Sequence, residues 1–180
     1  LATGRTTLPA VVDDVRRHLE DHGSIALLAF SIATERPVEE TWGWQLYDEL
    51  IRDFVAHLRA LAGEGELPAT LLCVPAARSD EVLCFVPTSA RNGSDLPPQE
   101  WLRGLAARVD SRVTSFLADR IAGLDRFSSH VGQSLILFDP KVRVERAVYR
   151  GLNEARGEVF RRTANAEERG TEILRAILAE

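Results

Sequence analysis

Four consecutive polar residues, Arg78, Ser79, Asp80 and Glu81, separate two apolar runs in the stretch "LLCVPAARSDEVLCFVP", residues 71 to 87. Adjacent carboxylates provide the oxygen ligands that hard divalent cations prefer, and an arginine offers a charged fork to a phosphate. The same residue types are also common in polar turns. The stretch therefore predicts a β-hairpin whose tip is either a plain polar turn or part of an ion or phosphate site.

The two cysteines of the chain fall on the two arms of this hairpin. If the arms pair about a centre between Arg78 and Ser79, Cys73 lies opposite Cys84. Two buried small residues on one sheet face would give this pattern, and so would a disulfide or a metal pair. Two thiols without a nearby histidine are too few for a structural zinc site.

The elements that position these residues alternate along the chain. Apolar residues at helical spacing predict helices from Leu8 to about Gly23 and from Trp44 to Leu61, and two short continuous apolar runs predict buried strands. Further helices are predicted after the loop "RNGSDLPPQE" and after the strand "QSLILFD", with a helical tail at the end. The order helix, strand, helix, hairpin, helix, strand, helix predicts an α/β domain with a central sheet covered by helices.

Composition limits the class of protein. The chain has 180 residues, which suits one domain with appendages, and a formal charge of -5 with Lys141 as its single lysine. Nothing resembles a stripe that binds polyanions, so we expect no nucleic-acid partner. No stretch approaches the ~20 apolar residues needed to span a bilayer, and a secretory signal is not evident. We expect a cytoplasmic protein without membrane contact in this segment.

Several motifs resemble the GGDEF domain of bacterial cyclic di-GMP signalling. Arg78 and Ser79 stand where the family has its two glycines, Asp80 and Glu81 where it has Asp-Glu, and Val82 where it has Phe. The stretch "LLAFSIATERPVEETWGWQLYDEL" is similar to "LLFLDLDxFKxINDxxGHxxGDxLL", and the strand "HVGQSLILFDP" and the segment "RGLNEAR" resemble the family's "SIGIAxxP" and "xALYxAK". The matching residues are Gly43, Asp48, Leu50, Gly132, Pro140, Ala155 and Arg156. The resemblance covers about residues 1 to 160.

This resemblance implies an α/β (α+β) fold with a central, mostly antiparallel sheet of about five strands and a βαββαβ core. It also implies that catalysis is lost. In the family, carboxylates at the end of the first strand hold divalent cations together with the hairpin, and here those positions are Ser31 and Ala33. A hydroxyl and a methyl group cannot replace two carboxylates, so we expect neither a catalytic site nor a metal site.

Nucleotide binding remains open from the sequence. The family recognises guanine with an Asn and an Asp, whose positions here are Glu39 and Asp48, and Arg78 could contact a phosphate. These three residues are the possible nucleotide-binding set, with GTP and Mg²⁺ as a weak ligand and no tightly bound cofactor. Asp48 could equally be an acid on a helix surface, and Arg78 a solvated arginine.

The resemblance favours an inactive GGDEF-like regulatory or interaction module in cyclic di-GMP signalling. The alternatives are a GTP-binding sensor without turnover and an active diguanylate cyclase. Residues 161 to 180 resemble the helix that leads into an EAL domain, with an apolar stripe at Ile173, Leu174, Ile177 and Leu178. The expected partners are a neighbouring EAL or sensory domain of the same chain, or a second copy in a homodimer.

Overall fold

The computed structural model describes residues 6–32, 43–68, 71–75, 80–89, 99–121 and 130–178, the last 17 of these by their backbone only. In chain order the elements are α1 (Leu8–His22), β1 (Gly23–Ser31), α2 (Trp44–Gly63), β2 (Leu71–Cys73), β3 (Glu81–Ser89), α3 (Gln99–Ala118), β4 (Val131–Leu137) and α4 (Val144–Leu178).

The four described strands form one antiparallel sheet in the order β2-β3-β1-β4. With α2 between β1 and β2, and α3 between β3 and β4, this is the predicted α+β fold with a βαββαβ core. The prediction of about five strands is close. Next to β2, Thr7 forms a single parallel bridge with Val74, which extends that edge without adding a full strand.

Helices cover both faces of the sheet. On one face, α2 and α3 pack on the side chains of Ala26, Leu28 and Phe30, and on the other, α1 and α4 pack on those of the residues between them. Every residue from Ser24 to Phe30 is consequently buried. This explains why the β1 sequence is continuously apolar, as expected for a strand covered on both faces.

The hairpin register differs from the prediction by one residue. Leu72 pairs with Cys84 and Cys73 with Leu83, so Cys73 faces α1 and α4 whereas Cys84 faces α2 and α3. Because side chains alternate along a strand, a shift of one residue moves a side chain to the other face. The prediction that Cys73 lies opposite Cys84 is therefore wrong, and both cysteines are buried outside any disulfide.

The long helix α4 packs directly on β4 through two glycines. A Cβ atom at Gly132 would overlap the backbone carbonyl of Ala155, and one at Gly151 would lie 2.8 Å from Ile136 Cγ1. The helix continues without a break to Leu178, whereas the sequence predicted a domain helix and a separate tail. Gly157 and Gly170 lie within it, and single glycines weaken a helix without ending it.

None of the helices in the described part of the chain is both long enough and apolar enough to cross a membrane.

Candidate functional site

The candidate site lies at the end of the sheet where β1 ends and β3 begins. Ser31, the last residue of β1, is directly opposite Glu81, the first residue of β3. One residue beyond, the backbone N–H of Ile32 donates to the carbonyl oxygen of Asp80 over 2.8 Å. The fold therefore brings together the strand position at which a carboxylate was predicted to be lost and the two acidic residues of the hairpin.

A bidentate ion pair holds the Glu81 carboxylate. Arg156 of α4 donates from Nε to Oε1 over 2.7 Å and from Nη2 to Oε2 over 2.5 Å. The Glu81 side chain is 19% exposed and that of Arg156 is 46% exposed. The hydrogen bonds to Glu81 raise the pKa of the Arg156 guanidinium above its ordinary value, which keeps it charged. Paired N–H groups match the two carboxylate oxygens in direction as well as in charge.

Two residues of the degenerate signature "RSDEV" belong to a strand and not to the hairpin tip. Glu81 and Val82 lie in β3, and Val82 is fully buried among the side chains that face α2 and α3. The plain interpretation of Glu81 as a turn residue is therefore wrong. Asp80 lies directly before β3, and Arg78 and Ser79 lie outside the described residues.

Ser31 is held in place by His130, a buried histidine directly before β4. Its backbone N–H donates to the His130 carbonyl over 2.8 Å, and His130 Nδ1–H donates to the Ser31 carbonyl over 2.8 Å. The backbone N–H of His130 in turn donates to Asp110 Oδ1 of α3 over 2.8 Å. These contacts connect the end of β1 to His130, and His130 is in turn bonded to α3. The backbone at Ser31 is therefore held in a defined position.

The residues described at this place do not suit Mg²⁺ or Mn²⁺. Proteins usually hold Mg²⁺ through one or two carboxylates together with water and substrate phosphates, but here β1 contributes a serine and the Glu81 carboxylate is engaged by a guanidinium. Across the described parts of the chain, no three His, Cys, Asp or Glu side chains are grouped so that they could hold a metal. Ala33, the other position of a family carboxylate, lies outside the described residues and has no ligand atom in its side chain.

Of the three predicted nucleotide-binding residues, only Asp48 is described. It is half-buried on α2 and lines a cavity of about 90 Å³ together with Arg52, Arg59 and Val82. Small-molecule sites commonly measure roughly 300–1,000 Å³, so the described walls enclose room for an ion or a small group, not for a whole nucleotide. Glu39 and Arg78 lie outside the described residues.

Three residues of the site carried no functional prediction. In the sequence, Arg156 is only a matching position in a short motif, and nothing marks His130 or Asp110 as functional. Their contacts span 75, 99 and 20 residues of sequence. Only the match of Arg156 to a basic family position could have drawn attention to one of them.

Comparison with known proteins finds limited likeness. No protein-family model matches the chain, and no curated protein matches it. Among solved structures, it is similar to the crystal structure of the GGDEF domain of the PA2567 protein from Pseudomonas aeruginosa. The two share 16% sequence identity at a TM-score of 0.49, over 91% of this chain and 90% of that one. At these values the likeness carries no functional argument.

Proposed function

We propose that the chain is a GGDEF-like module without diguanylate cyclase activity that regulates an attached or partner domain in cyclic di-GMP signalling. Four sequence motifs in family order, placed on a βαββαβ core, support the relationship. The residues at the end of β1 and the start of β3 support the loss of activity.

The observation that carries this proposal is the Glu81–Arg156 ion pair opposite Ser31. Condensation of two GTP molecules to cyclic di-GMP needs cations that neutralise the triphosphate and activate the attacking hydroxyl. Here the Arg156 guanidinium neutralises the Glu81 carboxylate, and the facing residue on β1, Ser31, has a hydroxyl group in place of a carboxylate. Losing one metal-ion interaction removes several kcal/mol of transition-state stabilisation, which corresponds to orders of magnitude in rate.

A second candidate, a GTP-binding sensor without turnover, is favoured by the charges around Asp48. The cavity beside this carboxylate is also lined by Arg52 and Arg59. A carboxylate can accept hydrogen bonds from a base edge, and guanidinium groups can bind phosphate oxygens. This arrangement supports binding of one phosphate group or one base edge of a purine nucleotide without a metal centre, with the rest of the nucleotide outside the described walls of the cavity.

The helix α4 is the element through which either function would reach a neighbouring domain. Its residue Arg156 contacts the candidate site, and its backbone continues helical from there to Leu178. At 1.5 Å per residue, the part after Phe160 is about 27 Å long. We propose that an EAL or sensory domain of the same chain is the recipient of this connection.

The experiment that tests the proposed function is a turnover assay combined with a binding assay. The protein is incubated with GTP and either Mg²⁺ or Mn²⁺, and the products are separated by chromatography. We expect GTP to remain unconverted, and accumulation of cyclic di-GMP would contradict the proposal. Thermal unfolding with millimolar GTP then separates the two candidates, since a ligand that binds the folded state raises the melting temperature. A rise that Asp48→Leu abolishes supports the sensor, and a flat response supports the interaction module.

A further inference from the structure

Two arginines of α2, Arg52 and Arg59, form no ion pair with any described residue. They are seven positions apart, which is about two helical turns, so they lie on the same side of the helix. The nearby acids Asp53 and Glu64 instead form ion pairs with arginines of α3. Among the described residues, the hydrogen-bond donors of the two guanidinium groups therefore remain for a ligand.

Both arginines line the cavity of about 90 Å³ between α2 and β2. Side chains on a helix lean toward its N-terminus, so Arg59 leans toward Arg52. Part of the lining is apolar and includes the buried residues Ile51, Val74 and Val82. Water screens a charge less beside an apolar wall than in open solvent, which strengthens its attraction for an opposite charge. The cavity therefore favours a small anion.

A carboxylate in the same lining restricts which anions suit the cavity. Asp48 lies one turn before Arg52 and lines the cavity with it. A carboxylate accepts hydrogen bonds and donates none, so it repels a ligand oxygen that carries no proton. An anion that carries a proton can donate its O–H to Asp48 and accept from the guanidinium groups with its other oxygens. Phosphate keeps such a proton near neutral pH, whereas sulfate does not.

We propose that Asp48, Arg52 and Arg59 form a binding site for a phosphate group that carries a proton. The two arginines donate to its oxygens, and Asp48 accepts the hydrogen bond from its O–H group. Inorganic phosphate and the phosphate of a monoester share this chemistry. The inference rests on the cavity of the GTP-binding sensor proposed above, and it assigns that cavity to a phosphate group and not to a base edge.

Calorimetric titrations of the chain with sodium phosphate and with sodium sulfate, at pH 7 and equal ionic strength, test the site. We expect saturable binding of phosphate. Sulfate should bind about tenfold more weakly or not at all, because it leaves Asp48 facing an oxygen without a proton. A wild-type chain that shows no saturable phosphate binding up to about 10 mM would overturn the proposal. Equal binding of the two anions would also overturn it.

Four variants, each checked for folding by circular dichroism, assign the binding to these residues. Arg52→Gln and Arg59→Gln should each weaken phosphate binding about tenfold, because each removes charge-assisted hydrogen bonds. Asp48→Asn should bind sulfate as well as it binds phosphate, since an amide can donate to an oxygen without a proton. Arg108→Gln is the matched control, an exposed arginine of α3 that does not line the cavity. Phosphate binding that both arginine variants of α2 retain, or an Asp48→Asn variant that still rejects sulfate, would contradict the proposal.

Two further ligands identify the source of the phosphate group and separate this inference from the proposed function. Glycerol 2-phosphate is titrated at pH 6, where about half of such a monoester carries the proton. Binding comparable to that of inorganic phosphate assigns the site to monoesters, and binding of inorganic phosphate alone assigns it to the free ion; either result supports the proposal. Binding of GTP without binding of phosphate would overturn this inference and leave the sensor standing. Binding of phosphate without binding of GTP would support this inference and contradict the sensor.

Discussion

Arg156 of α4 forms an ion pair with the carboxylate of Glu81, the first residue of β3, which pairs with Ser31, the last residue of β1. Two parallel hydrogen bonds of 2.7 and 2.5 Å form this contact. It connects residues 75 positions apart and joins the sheet end to the longest helix of the chain. The charge that a cation would supply at this place is supplied by the protein itself.

The strength of this ion pair can be measured with a double-mutant cycle of Arg156→Gln and Glu81→Gln. We expect a coupling free energy of about 0.5–1 kcal/mol from urea unfolding, since Arg156 is partly exposed and water screens the pair. The exposed pair Glu158–Arg161 on the same helix is the control and should give a smaller value. If the coupling free energy of Glu81–Arg156 is no greater than that of the control pair, the two hydrogen bonds between Arg156 and Glu81 do not form in solution.

The contact between β4 and α4 predicts that Gly132→Ala is strongly destabilising. Its Cβ would overlap the Ala155 carbonyl and lie 2.9 Å from Val159 Cγ2, so the helix would have to move. We expect a loss of roughly 2–3 kcal/mol in the free energy of unfolding. In the control variant Gly157→Ala, on α4, the new methyl group meets no atom within 4 Å. That control should be stabilised by about 0.5–1 kcal/mol, and similar values for the two variants would contradict the close packing.

Stability should also depend on pH through His57 of α2. Burial lowers the pKa of His57, and the neighbouring Arg112 and Arg120 lower it further, while Glu64 opposes them. Its ring stacks on Phe116 at 4.5 Å between centroids, and its Nε2 is buried without a hydrogen-bond partner. The unfolded chain therefore takes up a proton more readily than the folded one. The stability from a neutral His57 is present above about pH 6.5 and is lost as the pH falls.

The variant His57→Phe keeps the ring stack and removes this titration. The measurement is urea unfolding of the wild type and of His57→Phe at several pH values between 7.5 and 5.5. We expect the wild type to lose more stability than the variant on acidification below pH 6.5. Parallel losses in the two proteins would show that His57 is not held neutral.

The two cysteines should be unreactive toward each other and toward reagents in the folded state. Burial raises the pKa of the Cys73 thiol to about 12, so little nucleophilic thiolate forms at pH 8. Cys73 and Cys84 also face opposite sides of the sheet. We expect a thiol reagent to modify both only after unfolding in urea. A Cys73–Cys84 disulfide in non-reducing peptide maps of the oxidised protein would contradict the register.

The sequence predicted the elements whose pattern of apolar residues follows from their own secondary structure and burial. The continuous apolar run of β1 and the helical spacing in α1 and α2 predicted these elements within a few residues. The hairpin register was wrong because both arms are apolar and β2 has only three residues, so neither burial nor length distinguishes two registers that differ by one residue. The partner of Glu81 could not be predicted, because Arg156 reaches it from a helix that only the tertiary fold places there.

A crystal structure of the chain grown with GTP and MnCl₂, with an anomalous difference map, tests the central claim most directly. The account predicts that Arg156 stays hydrogen-bonded to Glu81 and that no manganese peak lies between Ser31 and Glu81. A manganese ion coordinated by Glu81, with Arg156 displaced, would contradict it.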